Sequence, residues 1–269
     1  RTKTKTKLVS WCADFQHRHY PEFFTTFQRA GRNLRTMMAL RNNDNLVLSS
    51  NDALNDLRRF YAVPGKLKLD VFHFVSVLKW ENEQEIESLK SKYNLPSDYF
   101  LVSNQFHKHK NHRVLLLTLA RLNQLGIRKH FAFTGKLPEE SDSPYLKELH
   151  SIIEKNNLMS QISMLGIISR ADQLAIMKHS QAVIQPSLFE GWSTVIEDAK
   201  SLQVPVVASN LRVNIEQLGD DGVYFDPHNV EELVAIIKNY PSRNPDEIFY
   251  QPYRERMKAA AVELLGILS

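Results

Sequence analysis

"YFLVSNQFHKHKNHRVLLLTLARLNQLGIRKHFAFTG", Tyr99 to Gly135, holds the pattern that sets the fold class. Its ends, "YFLVSN" (99–104) and "HFAFTG" (130–135), are apolar at nearly every position, as strands covered on both faces are. In the middle, Val114, Leu115, Leu117, Thr118, Leu122 and Leu125 share one broad helical face, and Gly126 ends it. Strand, helix and strand therefore follow in order. Similar apolar runs recur outward: "LVSWCA" (8–13), "LVLSS" (46–50), "LDVFHFV" (69–75), "QISML" (161–165), "QAVIQP" (181–186), "VPVVAS" (204–209) and "GVYF" (222–225). Helical periodicity separates most of them, which predicts an α/β chain with a doubly wound parallel sheet.

Six of these strands lie between Tyr99 and Phe225, enough for a complete Rossmann-like domain, expected over residues 81–240. Only three precede Trp80. A three-stranded parallel sheet leaves an apolar edge unpaired, so residues 1–80 are expected to be the second half of another Rossmann-like domain. Its first half would be absent or supplied differently. "KWENEQE" (79–85) is the expected hinge. Residues 241–269, with "RNPDEIFYQPYRERMKAAAVELLGIL" (243–268), are expected to form a Pro-interrupted helix pair returning toward the first domain.

The chain has 269 residues, 43% hydrophobic and 24% charged, enough for a substantial core. The single cysteine, Cys12, excludes a disulfide framework and most Cys-based metal sites and fits a reducing compartment. No apolar run approaches the roughly 18 residues of a membrane span. A cytoplasmic location, peripheral to the inner face of a membrane, is the expectation. A net charge of +4 is compatible with phosphate-bearing ligands or an anionic membrane surface without demanding nucleic acid.

Two loops concentrate polar chemistry. In "PSLFEGWSTVIEDAKSLQVPVVAS" (186–209) a strand turns at Gly191 into a helix starting near Ser193 or Thr194. Unpaired amides at a helix start suit a phosphate, and carboxylates suit sugar hydroxyls. Together these point to a nucleotide sugar. Glu197 stands at capping-box spacing from Thr194. Asp198 lies beside the buried stripe of Val195, Ile196, Ala199 and Leu202 and so needs a partner, a ligand or a salt bridge. Glu190 sits in the loop, where function concentrates. In "VSNQFHKHKNH" (102–112), His107, His109 and His112 could be read as metal ligands, but Lys108 and Lys110 oppose a cation. The lysines and the helix start near Asn111 suit a phosphate. Both loops follow strands, where doubly wound sheets bind ligands.

Glu190 and Asp198, with the residues around them, resemble the E-x7-E segment of retaining glycosyltransferases of the two-domain GT-B fold, family 4 or "group 1". The resemblance runs from about Trp11 to Tyr240. It implies hexosyl transfer from a nucleoside-diphosphate sugar to an acceptor with retention, and a role in carbohydrate biosynthesis. Glu190 would lie by the donor sugar and Asp198, one methylene shorter than the usual glutamate, would hold the ribose. Lys110 matches the family's phosphate-binding lysine. Asn104 or Gln105 stands where an arginine is usual, and Lys108 is a substitute cation. "WCADFQHRHYPEFF" (11–24) resembles the segment that brings a histidine to the transferred sugar; His17 is the match, against the alternative of a packed histidine. "FTGK", with Gly135, and "LGIISRADQLAIM" (165–177), with Ile168, resemble the strands lining the base pocket. Gly191, Trp192, Ser193 and Thr194 complete the donor-binding set. Glu190, Lys110 and His17 would carry the chemistry, with no metal and no cofactor beyond the donor.

The implied partners are the donor, a glycan or lipid-linked acceptor and, peripherally, an anionic membrane, with no nucleic acid. The competing reading is an inactive nucleotide-sugar-binding module or fragment lacking the first half of the N-terminal domain. An epimerase or phosphorylase fits the acidic segment less well.

Overall fold

Each of the nine apolar runs holds a short strand, and those at Asn45–Leu48, Phe100–Ser103, Phe131–Thr134, Val183–Gln185 and Val206–Ser209 are buried at every position. The structure is a computed structural model that describes residues 7–78, 86–136, 143–244 and 246–269. The expected hinge at 79–85 lies outside the described residues, as does nearly all of the opening "RTKTKTK".

Two compact units form. One contains the described residues up to Val75 with Glu190–Ser193 and Arg254–Ser269; the other contains Ser76–Phe189 and Thr194–Tyr253. The first unit opens with β1 (Val9–Cys12), α1 (Gln16–His19), α2 (Thr26–Asn42), β2 (Asn45–Leu48), α3 (Asn51–Phe60) and β3 (Lys68–Val71). Its three strands are parallel in the order β1-β2-β3. Leu46, Leu48, Phe15 and Leu57 form its core. Thr25 and Gln28 close a capping box at the start of α2.

The second unit holds α4 (Ile86–Tyr93), β4 (Phe100–Ser103), α5 (His112–Gln124), β5 (Phe131–Thr134), α6 (Pro144–Lys155), β6 (Ile162–Gly166), α7 (Arg170–Lys178), β7 (Val183–Gln185), α8 (Thr194–Ser201), β8 (Val206–Ser209), α9 (Arg212–Leu218), β9 (Val223–Phe225) and α10 (Val230–Lys238). Its six parallel strands run in the order β6-β5-β4-β7-β8-β9. Alternation along the strands divides the core in two. Phe100, Val102, Phe131, Phe133 and Ile184 join one cluster with Leu115 and Leu119. Leu101, Ala132, Val183 and Val206 join the other with Ile176 and Ile196. Both faces are covered, as the continuous apolar runs require. In α5 the predicted face is buried at Val114, Leu115, Thr118 and Leu122. Leu125 is exposed because the helix ends one residue earlier and Gly126 takes a left-handed φ of +73°.

The expected helix pair at the C-terminal end needs correction. One helix forms, α11 (Tyr253–Leu268), and the described residues of 241–252 are irregular. Pro245 and Pro252 disfavour helical conformation in the residues before them. Side chains meet the backbone's needs instead: Gln203 Oε1 accepts from the amides of Phe249 and Tyr250, both at 2.9 Å, and its Nε2 donates to Tyr250 O at 3.0 Å. Arg243 donates to the carbonyls of Lys178, of Ser180 at 3.0 Å and of Gln203 at 2.9 Å.

Arg243→Ala should therefore lower unfolding free energy by about 2–4 kcal/mol, since hydrogen bonds to a charged donor are lost and carbonyls are left unmatched; urea denaturation measures this. A second prediction concerns buried Asp172, which accepts from Lys92 Nζ at 2.7 Å and Tyr93 Oη at 2.5 Å. Burial pushes its carboxyl up, but hydrogen bonds from Lys92, Tyr93 and Ser169 outweigh it and hold it below the usual carboxylate range. A depressed folded-state pKa adds stability above the unfolded value that is lost as pH falls through the folded one. Asp172→Asn should remove that acid-side slope from the dependence of melting temperature on pH.

Candidate functional site

Strand order reverses between β4 and β7, which pair side by side. Helices leave such neighbours on opposite faces, opening a crevice beyond their C-terminal ends. Both loops singled out from the sequence emerge there. They are stitched together: Leu188 N donates to His109 O at 2.7 Å, and Asn104 Nδ2 donates to Gln185 Oε1 at 3.0 Å. Ser209 Oγ supports the second loop, donating to Ser187 O at 2.6 Å.

The basic loop closes as a tight 3₁₀ turn, Lys108–Lys110. Asn111 follows with φ +53° and anchors it by donating through Nδ2 to Pro227 O at 2.9 Å. Asparagine tolerates this left-handed geometry better than most residues. Lys108 is exposed and Lys110 half-buried. The three histidines part company. His112 is buried and stacks on Phe106 with centroids 4.2 Å apart; burial pushes its ring down to about 3 and keeps it neutral. His107 and His109 stack on each other at 5.7 Å. Among the described residues no group of three His, Cys, Asp or Glu is arranged to hold a metal ion.

Beside this loop the ends of β4, β5 and β6 line an open cavity of about 370 Å³. Four residues expected from the sequence line it: Asn104, Gln105, Gly135 and Ile168. Gly135 has φ +138°, and a Cβ there would sit 2.3 Å from Asn104 O, so only glycine lets β5 pass this close to the basic loop. Ser103, Thr134, Lys136 and Gln173 also line the cavity and were not singled out beforehand. Thr134 Oγ1 and Gln173 Nε2 both donate to Ser103 Oγ, at 2.8 and 2.5 Å. Their signal was a polar residue closing an apolar strand, Ser103 in "YFLVSN" and Thr134 in "HFAFTG".

On α8 the neighbouring acids differ in partners. Glu197, 1% exposed, accepts from Gln217 Nε2 at 2.8 Å and lies 3.8 Å from Lys200 Nζ. Asp198, 2% exposed, is gripped by Arg170: NH1 donates to Oδ2 at 2.7 Å and NH2 to Oδ1 at 2.5 Å. Ser76 Oγ adds a bond to Oδ1 at 2.5 Å. The salt bridge left open from sequence is thus present, and Arg170, 28 residues away, carries no sequence signal for it.

Within the first unit, the segment Glu190–Ser193 is held at two points. Trp192 stacks on His73 at 4.5 Å and its Nε1 donates to Phe74 O at 3.0 Å. A Cβ on Gly191 would lie 2.4 Å from Ala13 O. Glu190 is half-buried, Ser193 buried and Thr194, in the second unit, exposed. His17 is buried among Phe15 and Phe24. Its Nε2 lies 3.0 Å from Asn33 Oδ1 and 3.2 Å from Tyr61 Oη, while Nδ1 is buried without a hydrogen-bond partner. Burial lowers its pKa and keeps the ring neutral. These are the surroundings of a packed histidine, the alternative the sequence also offered.

A doubly wound parallel unit with its crevice at the switch point, accompanied by a second parallel α/β unit, is the architecture of the GT-B class. The chain belongs to the family "Glycosyl transferases group 1", whose pattern matches residues 83–263. Among relatives, the serotype-specific mannosyltransferase WbdA of Escherichia coli is 24% identical over 182 residues, 67% of this chain and 22% of that protein. EpsF of Bacillus subtilis is 27% identical over 154 residues, 56% of this chain and 36% of EpsF. Similar solved structures include HepE of Anabaena in complex with UDP-glucose, with a TM-score of 0.72 at 18% identity over 97% of this chain and 72% of that one. Sucrose-phosphate synthase of Thermosynechococcus elongatus gives 0.69 at 18% identity, over 99% and 67%. The matches span only about a third or less of these two relatives' lengths. Among the described residues no helix is long and apolar enough to cross a membrane.

Gly135→Ala should cost about 2–3 kcal/mol in chemical denaturation, because strain at positive φ adds to a clash with Asn104 O. Gly126→Ala, also at positive φ but facing open space, should cost only about 1 kcal/mol.

Proposed function

We propose that this chain is the donor-binding part of a glycosyltransferase that moves a hexosyl group from a nucleoside-diphosphate sugar to a glycan or lipid-linked acceptor, with retention of anomeric configuration. The observation that carries this reading is the cavity at the C-terminal ends of β4, β5 and β6, bounded by Asn104, Gln105, Gly135 and Ile168, next to a lysine-bearing turn bonded to the loop after β7. Its dimensions and mixed lining suit a base and ribose. UDP-glucose in the similar HepE structure makes a uridine donor the first to try.

In the proposed mechanism Lys110 and the amides at the start of α8 stabilise charge on the departing diphosphate. The leaving phosphate takes the acceptor's proton on the same face, so no protein base is needed for that step. Lysine charge and helix dipoles serve where a divalent cation otherwise would. Glu190 lies by the transferred sugar, and the assignment of retention rests on its spacing from Asp198. Arg170 and Ser76 occupy three of the roughly four lone-pair positions of the Asp198 carboxylate. A ribose hydroxyl donates to the remaining one or replaces Ser76, and Arg170 neutralises a charge that would otherwise repel the diphosphate. A lipid-linked acceptor would bring the protein to an anionic membrane surface.

Thermal stabilisation by UDP, GDP, dTDP and ADP sugars should single out one base; no response to any would overturn the proposal. With that nucleotide, Lys110→Ala should weaken diphosphate binding about 10- to 100-fold and leave nucleoside binding unchanged. Asp198→Ala should weaken the ribonucleotide far more than its 2′,3′-dideoxy analogue. Matching losses within either pair would remove the corresponding residue from the site.

A further inference from the structure

The opposite end of the six-stranded sheet holds a second cavity, of about 280 Å³, among the residues that lead into β4, β5, β6 and β7. It lies wholly within the second unit and takes no part in the donor site. Pockets for drug-sized ligands run from roughly 300 to 1,000 Å³, so this one matches a single sugar ring better than a nucleotide sugar.

Its lining combines three kinds of group. Tyr240 and Phe100 pack edge to face at 5.3 Å and give an aromatic wall. Arg128 and Lys129 bring two positive charges, and among the described residues neither has a carboxylate within salt-bridge distance. The acidic residue here, Asp98, instead accepts from Gln181 Nε2 at 2.9 Å. Ser160, Ser242 and Gln161 supply uncharged polar groups. Gln161 is 4% exposed and its Oε1 is buried with no donor, a costly state that an incoming hydroxyl would relieve. His130, also on the rim, is bonded to Ser163 Oγ at 2.8 Å and is held neutral by burial.

From this combination we propose a second ligand site, for a small hydroxyl-rich anion: a sugar phosphate or sugar acid. The ring's apolar face would lie on Tyr240, its hydroxyls would meet Gln161 and the serines, and its anionic group would pair with Arg128 and Lys129. The nearby helices point their C-termini, with partial negative charge, at this end of the sheet. The two cations must therefore hold the anion without help from backbone dipoles, so the site depends on them.

Calorimetric titration of the purified chain with glucose 6-phosphate, glucuronate, glucose and inorganic phosphate tests this. One of the first two should bind, with glucose and phosphate each at least about tenfold weaker, and the stronger of the two names the anionic group. Arg128→Ala with Lys129→Ala should weaken that binding about tenfold or more, with the melting temperature little changed, because Arg128 is exposed and Lys129 gives up only a contact 6.0 Å from the Phe100 ring centre. Tyr240→Leu should weaken it too while sparing the fold. Absence of binding at millimolar concentration, phosphate binding as tightly as the sugar anion, or affinity that survives the double substitution would overturn the proposal. None of these outcomes depends on the nucleotide reading of the other cavity.

Discussion

Everything at the candidate donor site depends on β4 lying against β7. Their pairing is short, Leu101 opposite Val183, yet two further bonds continue it past the strand ends: Asn104 to Gln185 and Leu188 to His109. Helices leave these two strands toward opposite faces, so nothing in the sheet fills the space above them. The lysine turn and the loop after β7 reach that space already joined. A crevice preorganised in this way avoids the ordering cost that two independent loops would incur on binding.

Around the crevice, chemistry and packing compete for the same residues. Asp198 and Glu197 are adjacent on α8 and almost equally buried, and each is made tolerable by a specific partner. For Glu197 the partners are Gln217 and Lys200, ordinary internal bonding. For Asp198 they are a bidentate arginine and a serine hydroxyl. The serine hydroxyl and the guanidinium together satisfy both carboxylate oxygens.

The two ends of the six-stranded sheet differ in the physics available to a ligand. At the C-terminal ends of the strands, helix starts such as that of α8 supply amides and positive dipole ends. At the N-terminal ends, helices finish, and any anion must be met by side chains such as Arg128 and Lys129. Gly135 marks the first end, where backbone passes within Cβ distance of backbone; buried Gln161 with its unmatched oxygen marks the second.

Local pattern was enough for the elements. Among the described residues each of the nine apolar runs holds a strand, and those buried on both faces, such as β4, β5, β7 and β8, are the ones that must be apolar at consecutive positions; Gly126 ended α5 where its φ demanded. The residues at strand ends, Asn104 and Gly135 among them, were legible too, since strand ends in such a sheet border the crevice. The irregular stretch before α11 was not legible: Gln203 bonds its backbone and Arg243 ties it to the carbonyls of Lys178, Ser180 and Gln203, partners that periodicity cannot reveal. Nor was Arg170 on Asp198, or the burial of His17 and His112 away from their neighbouring histidines. Sequence by itself determined which residues must be covered and which may face water, because solvation acts residue by residue. Only the tertiary structure decided which charge meets which, because that depends on distances between segments far apart along the chain.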